Sequence, residues 1–126
     1  GIQVRVIIPG ESDVKMVHRA TRYMYSHLLK HGIEIYERKD QMLHSKVLVI
    51  DDDWSVVGSC NLDPRSLRIN LEFMAAIRSE QFATSVRSVC EHEMQNSRQV
   101  TTDCLEKLSW YDRLMDRIAW MFRRLL

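Results

Sequence analysis

Residues 43–61 read Leu43-His44-Ser45-Lys46-Val47-Leu48-Val49-Ile50-Asp51-Asp52-Asp53-Trp54-Ser55-Val56-Val57-Gly58-Ser59-Cys60-Asn61. β-Branched and aromatic residues predict two strands, Leu43 to Ile50 and Trp54 to Val57. The three aspartates between them suit a tight connection. In a strand, residues two apart share a face. His44 and Lys46 therefore project together, with Leu48 and Ile50 on their side and Val47 and Val49 on the other. The reading is of an imidazole and an ammonium sharing one end of an apolar, buried strand. A cation buried there is costly unless an anion meets it. A phosphate would satisfy Lys46 and accept hydrogen bonds from Ser59 and Asn61. Gly58 permits close backbone approach and a turn. Histidine is the side chain suited to move protons or attack near neutral pH.

Working outward, Ile2 to Ile8 is rich in Val and Ile and predicts a buried strand, ended by Pro9-Gly10. A helix is expected from Ser12 or Asp13, as cap, to about Lys30, and His31-Gly32 closes it. Ile33 to Tyr36 predicts a short strand and Glu37 to Gln41 a loop. A strand over Asn70 to Ile77 and a helix from about Glu80 to Met94 follow. The order β-α-β-β-β-α predicts an α/β fold, a mixed β-sheet flanked by helices. Asn96 to Thr102 is polar and reads as a linker. Two segments result: residues 1–100 as the main domain and 101–126 as a C-terminal amphipathic helical segment.

Taken singly, each residue of the central stretch has a structural explanation: a strand histidine, a solvated lysine, an aspartate turn. The spacing is more specific. Residues 44–61 match H-x-K-x4-D-x6-G-S-x-N, and this resembles the phospholipase D superfamily. Asn61-Leu62-Asp63-Pro64-Arg65-Ser66-Leu67 followed by Asn70-Leu71-Glu72 is similar to the continuation in bacterial cardiolipin synthases, most of all their C-terminal half. The resemblance runs from about residue 1 to 95.

The resemblance implies roles for matching residues. His44 is the expected catalytic histidine. Lys46 and Asn61 are expected phosphate-oxygen ligands, with the Ser59 hydroxyl supporting them. Glu72 is the carboxylate expected to hold a catalytic histidine by its other nitrogen. Asp51 belongs to the pattern and is expected to act structurally, paired with a basic group. Ser66 and Asn70 are expected to hold the loop, and Arg65 and Arg68 to touch a head group or lie in solvent.

Such sites use two facing motifs, a phosphohistidine and no metal or other cofactor. Only one motif is present, because His18, His27, His31 and His92 lack the H-x-K context. The second half is expected upstream in a longer chain, of which this is a fragment, or from a homodimer. The implied reaction is phosphatidyl transfer between phospholipids, making cardiolipin from phosphatidylglycerol. A phospholipase D-like hydrolase, a homodimeric nuclease and a non-catalytic lipid-phosphate-binding half-domain stand as alternatives.

Composition agrees with a folded domain: 126 residues, 45% hydrophobic and 28% charged. A net charge of +1 supplies no global basic field, so nucleic acid is not the expected partner. Three cysteines without metal-ligand spacing read as free thiols in a reducing compartment. The opening residues read as a strand and not as a leader. Residues 109–126 predict a helix with an apolar stripe of Tyr111, Leu114, Met115, Ile118, Met121, Phe122 and Leu125. Asp112, Arg113, Asp116, Arg117, Arg123 and Arg124 lie opposite, with Trp120 as an exception among them. That helix is expected either to pack on protein or to lie on a membrane surface. The expected location is peripheral, on the cytoplasmic side of a bacterial inner membrane, with a phospholipid as substrate.

Overall fold

The computed structural model describes the chain except residues 11, 13, 40–42, 62–63 and 124–126 and the side chains of Pro64 and Arg65. The elements are β1 (Val4–Pro9), α1 (Lys15–Lys30), β2 (Ile33–Arg38), β3 (Val47–Ile50), β4 (Trp54–Gly58), α2 (Pro64–Arg68), β5 (Met74–Arg78), α3 (Glu80–Gln95), β6 (Ser97–Val100), α4 (Thr102–Glu106) and α5 (Trp110–Met121). They form two compact units, one of Gly1–Leu43 with Met94–Leu126, the other of His44–Glu93. The architecture is α/β, as expected, with two three-stranded sheets.

In the first unit, β1 and β2 pair in parallel and α1 makes the crossover between them. β6 then joins β2 antiparallel, giving the order β1-β2-β6. Tyr25, Ile35 and Val100 are the buried centre, packed round by Ile8, Leu28, Leu29, Ile33, Cys104 and Leu105. Each such fully buried side chain contributes about 1.5–3 kcal/mol. The Tyr25 hydroxyl donates to Glu37 Oε1 at 2.9 Å, and Arg98 Nη2 donates to Glu37 Oε2 at 2.6 Å. Burial, then the Glu37 charge and hydrogen bond, push the Tyr25 hydroxyl far above its ordinary value.

Three expectations change here. Residues 37 and 38 extend β2 instead of opening a loop, because Glu37 gains Tyr25 and Arg98 as partners. Lys39 follows the strand and is exposed, and Asp40 and Gln41 lie outside the described residues. The polar stretch read as a linker contains β6, whose ladder runs from Ile35↔Val100 to Arg38↔Ser97. Its one apolar residue, Val100, enters the core while its polar ones meet β2. At the start of α1 the cap is Val14, whose N–H reaches Ser12 Oγ at 3.2 Å. Asp13 lies outside the described residues.

α5 is capped by Ser109, whose Oγ accepts from Asp112 N at 3.1 Å. It packs on α1 through charge. Arg22 makes a two-point contact with Asp116, Nε to Oδ2 at 2.7 Å and Nη2 to Oδ1 at 2.8 Å. Arg19 reaches Asp112 at 3.3 Å and Asp116 at 3.4 Å. Tyr23 stacks on Trp120, with ring centroids 5.6 Å apart. Leu125 and Arg124 of the expected helix lie outside the described residues.

The second unit is an antiparallel sheet, β3-β4-β5, followed by α3. Its register places Val47, Val49, Ser55, Val57, Ala75 and Ile77 on one face, among which Ser55 is fully buried. Leu48, Ile50, Trp54 and Met74 fall on the other face and are exposed. β3 is thus largely exposed rather than buried, with Val49 alone of its four residues half-buried. It is also shorter than expected, four residues, so His44 and Lys46 precede it.

Candidate active site

The ladder continues one step past β3, because Gly58 N donates to Lys46 O at 3.1 Å. That bond sets the segment 44–47 beside the end of β4. His44, Ser45, Lys46, Val47, Val57, Gly58 and Ser59 line an open concavity of about 450 Å³, within the size range of small-ligand sites. His44 is exposed and Lys46 half-buried. Among the described residues the Lys46 ammonium donates one hydrogen bond, to His44 O at 2.6 Å. An ammonium carries three donors, so it retains capacity for an anion.

Gly58 makes the close backbone approach expected of it. A Cβ there would lie 2.2 Å from Phe73 O and 2.6 Å from Met74 Sδ. The close approach is to Phe73 and the start of β5. It brings Ser59 against the segment before β5. Ser59 N donates to Phe73 O at 2.9 Å, and Phe73 N donates to Ser59 Oγ at 3.0 Å.

The Ser59 hydroxyl proton goes to Glu72 Oε2 at 2.5 Å. Asn70 Nδ2 donates to Glu72 Oε1 at 3.3 Å and reaches Ser66 Oγ at 3.5 Å. Ser66 is buried at the root of this loop. The Ser59 hydrogen bond is the main cause holding the Glu72 carboxyl below its ordinary value of 4.5. Desolvation opposes this, while Ser66, Asn70 and the Lys46 charge add to it. A cation, an imidazole, a hydroxyl and an ionised carboxylate are therefore gathered in one unit. The set can receive a tetrahedral oxyanion at Lys46 and place an imidazole beside it.

Not every expected residue joins this group. Asn61 is exposed, two residues beyond Ser59, and is not one of the lining residues. Asp51 sits at the far end of β3 from His44, in the β3–β4 turn, with a positive φ of 48°. Arg87 Nη2 donates to the Asp51 carbonyl, and its guanidinium pairs with the Asp52 carboxylate at 3.0 Å. A basic group is present at this turn, but Asp52 supplies the carboxylate and Asp51 the backbone. Glu72 is held by serines and an asparagine; His44 is not among these partners. Arg68 is exposed, and the side chain of Arg65 lies outside the described ones. Among the described residues no group of three or more His, Cys, Asp or Glu side chains is placed to hold a metal ion.

Comparison with known proteins gives this arrangement its class. The family described as cardiolipin synthase, PLD-like domain, matches residues 1–94. The chain belongs to that family. It is 36% identical over 125 residues to cardiolipin synthase B of Salmonella typhi and 34% identical over 125 residues to cardiolipin synthase B of Escherichia coli strain K12. It is 34% identical over 126 residues to cardiolipin synthase A of Proteus mirabilis. These matches cover 98% to 100% of the chain but only 30% and 26% of the length of those relatives.

Proposed function

We propose that the chain supplies one of two half-sites of a phosphatidyltransferase that makes cardiolipin from two molecules of phosphatidylglycerol. The observation that carries this reading is the concavity lined by His44, Lys46 and Ser59, with Glu72 hydrogen-bonded to Ser59. In it, residues 1–100 form the phospholipase D-like domain and 101–126 its helical extension.

Lys46 and Asn61 hold the non-bridging oxygens of the phosphodiester. Ser59 keeps the wall in place, and Glu72 holds a catalytic histidine in the right tautomer. A histidine of the second half attacks phosphorus, forming an N–P bond as the P–O bond to glycerol breaks. His44 gives its proton to the departing glycerol oxygen. It then takes a proton from the hydroxyl of the second phosphatidylglycerol, which attacks the phosphohistidine and restores the free imidazole. Cardiolipin and glycerol leave. Asp51 supports the far end of β3 and stands away from the reacting atoms. The second half belongs to the same longer polypeptide, and the enzyme works peripherally at the cytoplasmic face of a bacterial inner membrane.

The test uses phosphatidylglycerol in detergent micelles, with the 126-residue chain alone and with a longer polypeptide carrying a second H-x-K-x4-D motif. Cardiolipin formation is expected only from the longer protein. His44→Ala should lower it by about 10² to 10⁴-fold, the range for removing a general acid–base group. Turnover that survives His44→Ala removes His44 from the chemistry. Phosphate-ester binding without turnover in the longer protein leaves a binding module in place of an enzyme.

A further inference from the structure

α5 turns its acidic side inward and much of its apolar side outward. Its two carboxylates, Asp112 and Asp116, are both taken by Arg19 and Arg22 of α1. Asp116 and Ala119 are the buried residues of the helix. Trp110, Leu114 and Met121 are 77%, 46% and 70% exposed. At 3.6 residues per turn these three fall within about 40° of arc, on the side opposite Asp116 and Ala119. Exposed Tyr111 and Phe122 border the strip on one edge, and exposed Arg113 and Arg117 on the other. The Arg113 guanidinium bonds the carbonyls of Leu105 and Glu106, at 3.2 and 2.8 Å, so those bonds leave its charge unneutralised. The nearest preceding carboxylates, Asp103 and Glu106, belong to α4. The outward side of α5 therefore combines a large apolar strip with positive charge and no acid of its own.

We infer that the outward strip of α5, Trp110, Leu114 and Met121 flanked by Arg113 and Arg117, is a docking surface for an anionic phospholipid bilayer. Charge complementarity selects that occupant. A helix lying in the interface buries its apolar residues among acyl chains while arginines reach the phosphates. Tryptophan favours that depth. The ionic contact with α1 holds the helix with this strip facing out, so the strip is presented without refolding. The choice of lipid rests on the phosphatidylglycerol reading above, but the surface is tested apart from it.

The experiment is sedimentation of the 126-residue chain with vesicles of phosphatidylglycerol and phosphatidylcholine, and with phosphatidylcholine alone. Binding to the anionic vesicles is expected. Trp110→Ser/Leu114→Ser/Met121→Ser should weaken it at least about tenfold, the scale for removing three buried apolar side chains. Arg117→Gln should weaken it roughly fivefold, on anionic vesicles only. Circular dichroism and melting should be unchanged, since all four side chains are exposed. His44→Ala should bind like wild type, so loss of the chemistry leaves this result intact. Undiminished binding by the triple variant, or no binding by the wild type, overturns the inference. So does self-association that the triple variant abolishes without any vesicle binding, which would assign the strip to a protein partner.

Discussion

Ser59 Oγ lies 2.5 Å from Glu72 Oε2, joining the end of β4 to the segment before β5. The bond favours the carboxylate over the acid, and Glu72 titrates below 4.5 because of it. Ser59→Ala should move the Glu72 midpoint upward toward 4.5, as read by NMR titration of the side-chain carboxyl. The contribution of this bond to stability is complete above the unfolded value, near 4.5, and is lost as pH falls through the lower folded value. Acid melts of Ser59→Ala should therefore fall less steeply below that pH than wild type. An unmoved midpoint would show that Ser59 does not control this carboxylate.

Gly58 has no room for a methyl group. Gly58→Ala sets a Cβ against Phe73 O and Met74, and forcing extra atoms into such a contact costs about 1–3 kcal/mol. Urea denaturation should show that loss. Because the same contact carries Ser59, the Glu72 midpoint should shift as well. A fully stable Gly58→Ala would mean that β4 and β5 separate freely.

Asp116 is the inner carboxylate of the α1–α5 contact, with its side chain 5% exposed. Asp116→Ala leaves Arg22 facing a vacancy and should cost about 3 kcal/mol in equilibrium unfolding. Arg22→Leu/Asp116→Leu should cost less than the single change, since a buried pair replaced by apolar side chains is often near neutral. A double variant worse than the single one would argue that the arginine and aspartate act through other partners.

Tyr25 gives a prediction on the alkaline side. Its hydroxyl is raised above the ordinary 10.0, first by burial and then by Glu37. The folded form holds this proton more tightly, so its stabilising effect is complete below pH 10 and is lost as pH rises above it. Melting temperatures should drop above pH 10 in wild type and less steeply in Tyr25→Phe. At neutral pH that variant should lose about 1–2 kcal/mol by leaving Glu37 short of a donor. Identical alkaline profiles would remove Tyr25 from this role.

The parts of the molecule that were legible in the sequence are those specified by local spacing. His44, Lys46, Gly58 and Ser59 were named from their intervals, and they line one concavity. α1 was legible from its His31-Gly32 stop, and α3 was expected from about Glu80 to Met94. What local pattern missed depends on partners far along the chain. β6 has one core residue, Val100, and exists because β2 stands ready to pair with it. The apolar stripe of α5 was legible, but what the helix packs on was left open. Asp112 and Asp116 tie it to α1 through arginines 93 to 97 positions earlier. The Ser59–Glu72 bond spans 13 positions, and the signal that could have found it was a serine and a carboxylate flanking a glycine-enforced strand approach. Leu48 and Ile50 were read as part of a buried strand and are exposed in this structure.

Arg38 and Ser97 stand opposite each other in the β2–β6 ladder, and the whole stretch carrying the candidate site departs after one and returns before the other. Its two attachment points are therefore the two ends of one rung, about 5 Å apart. Residues 39–96 are thus inserted as a cassette between two paired strands of one host sheet. Short ties of this kind tolerate exchange, so a turn of a few residues bridging Arg38 to Ser97 should leave the host's three strands and its α1–α5 contact standing.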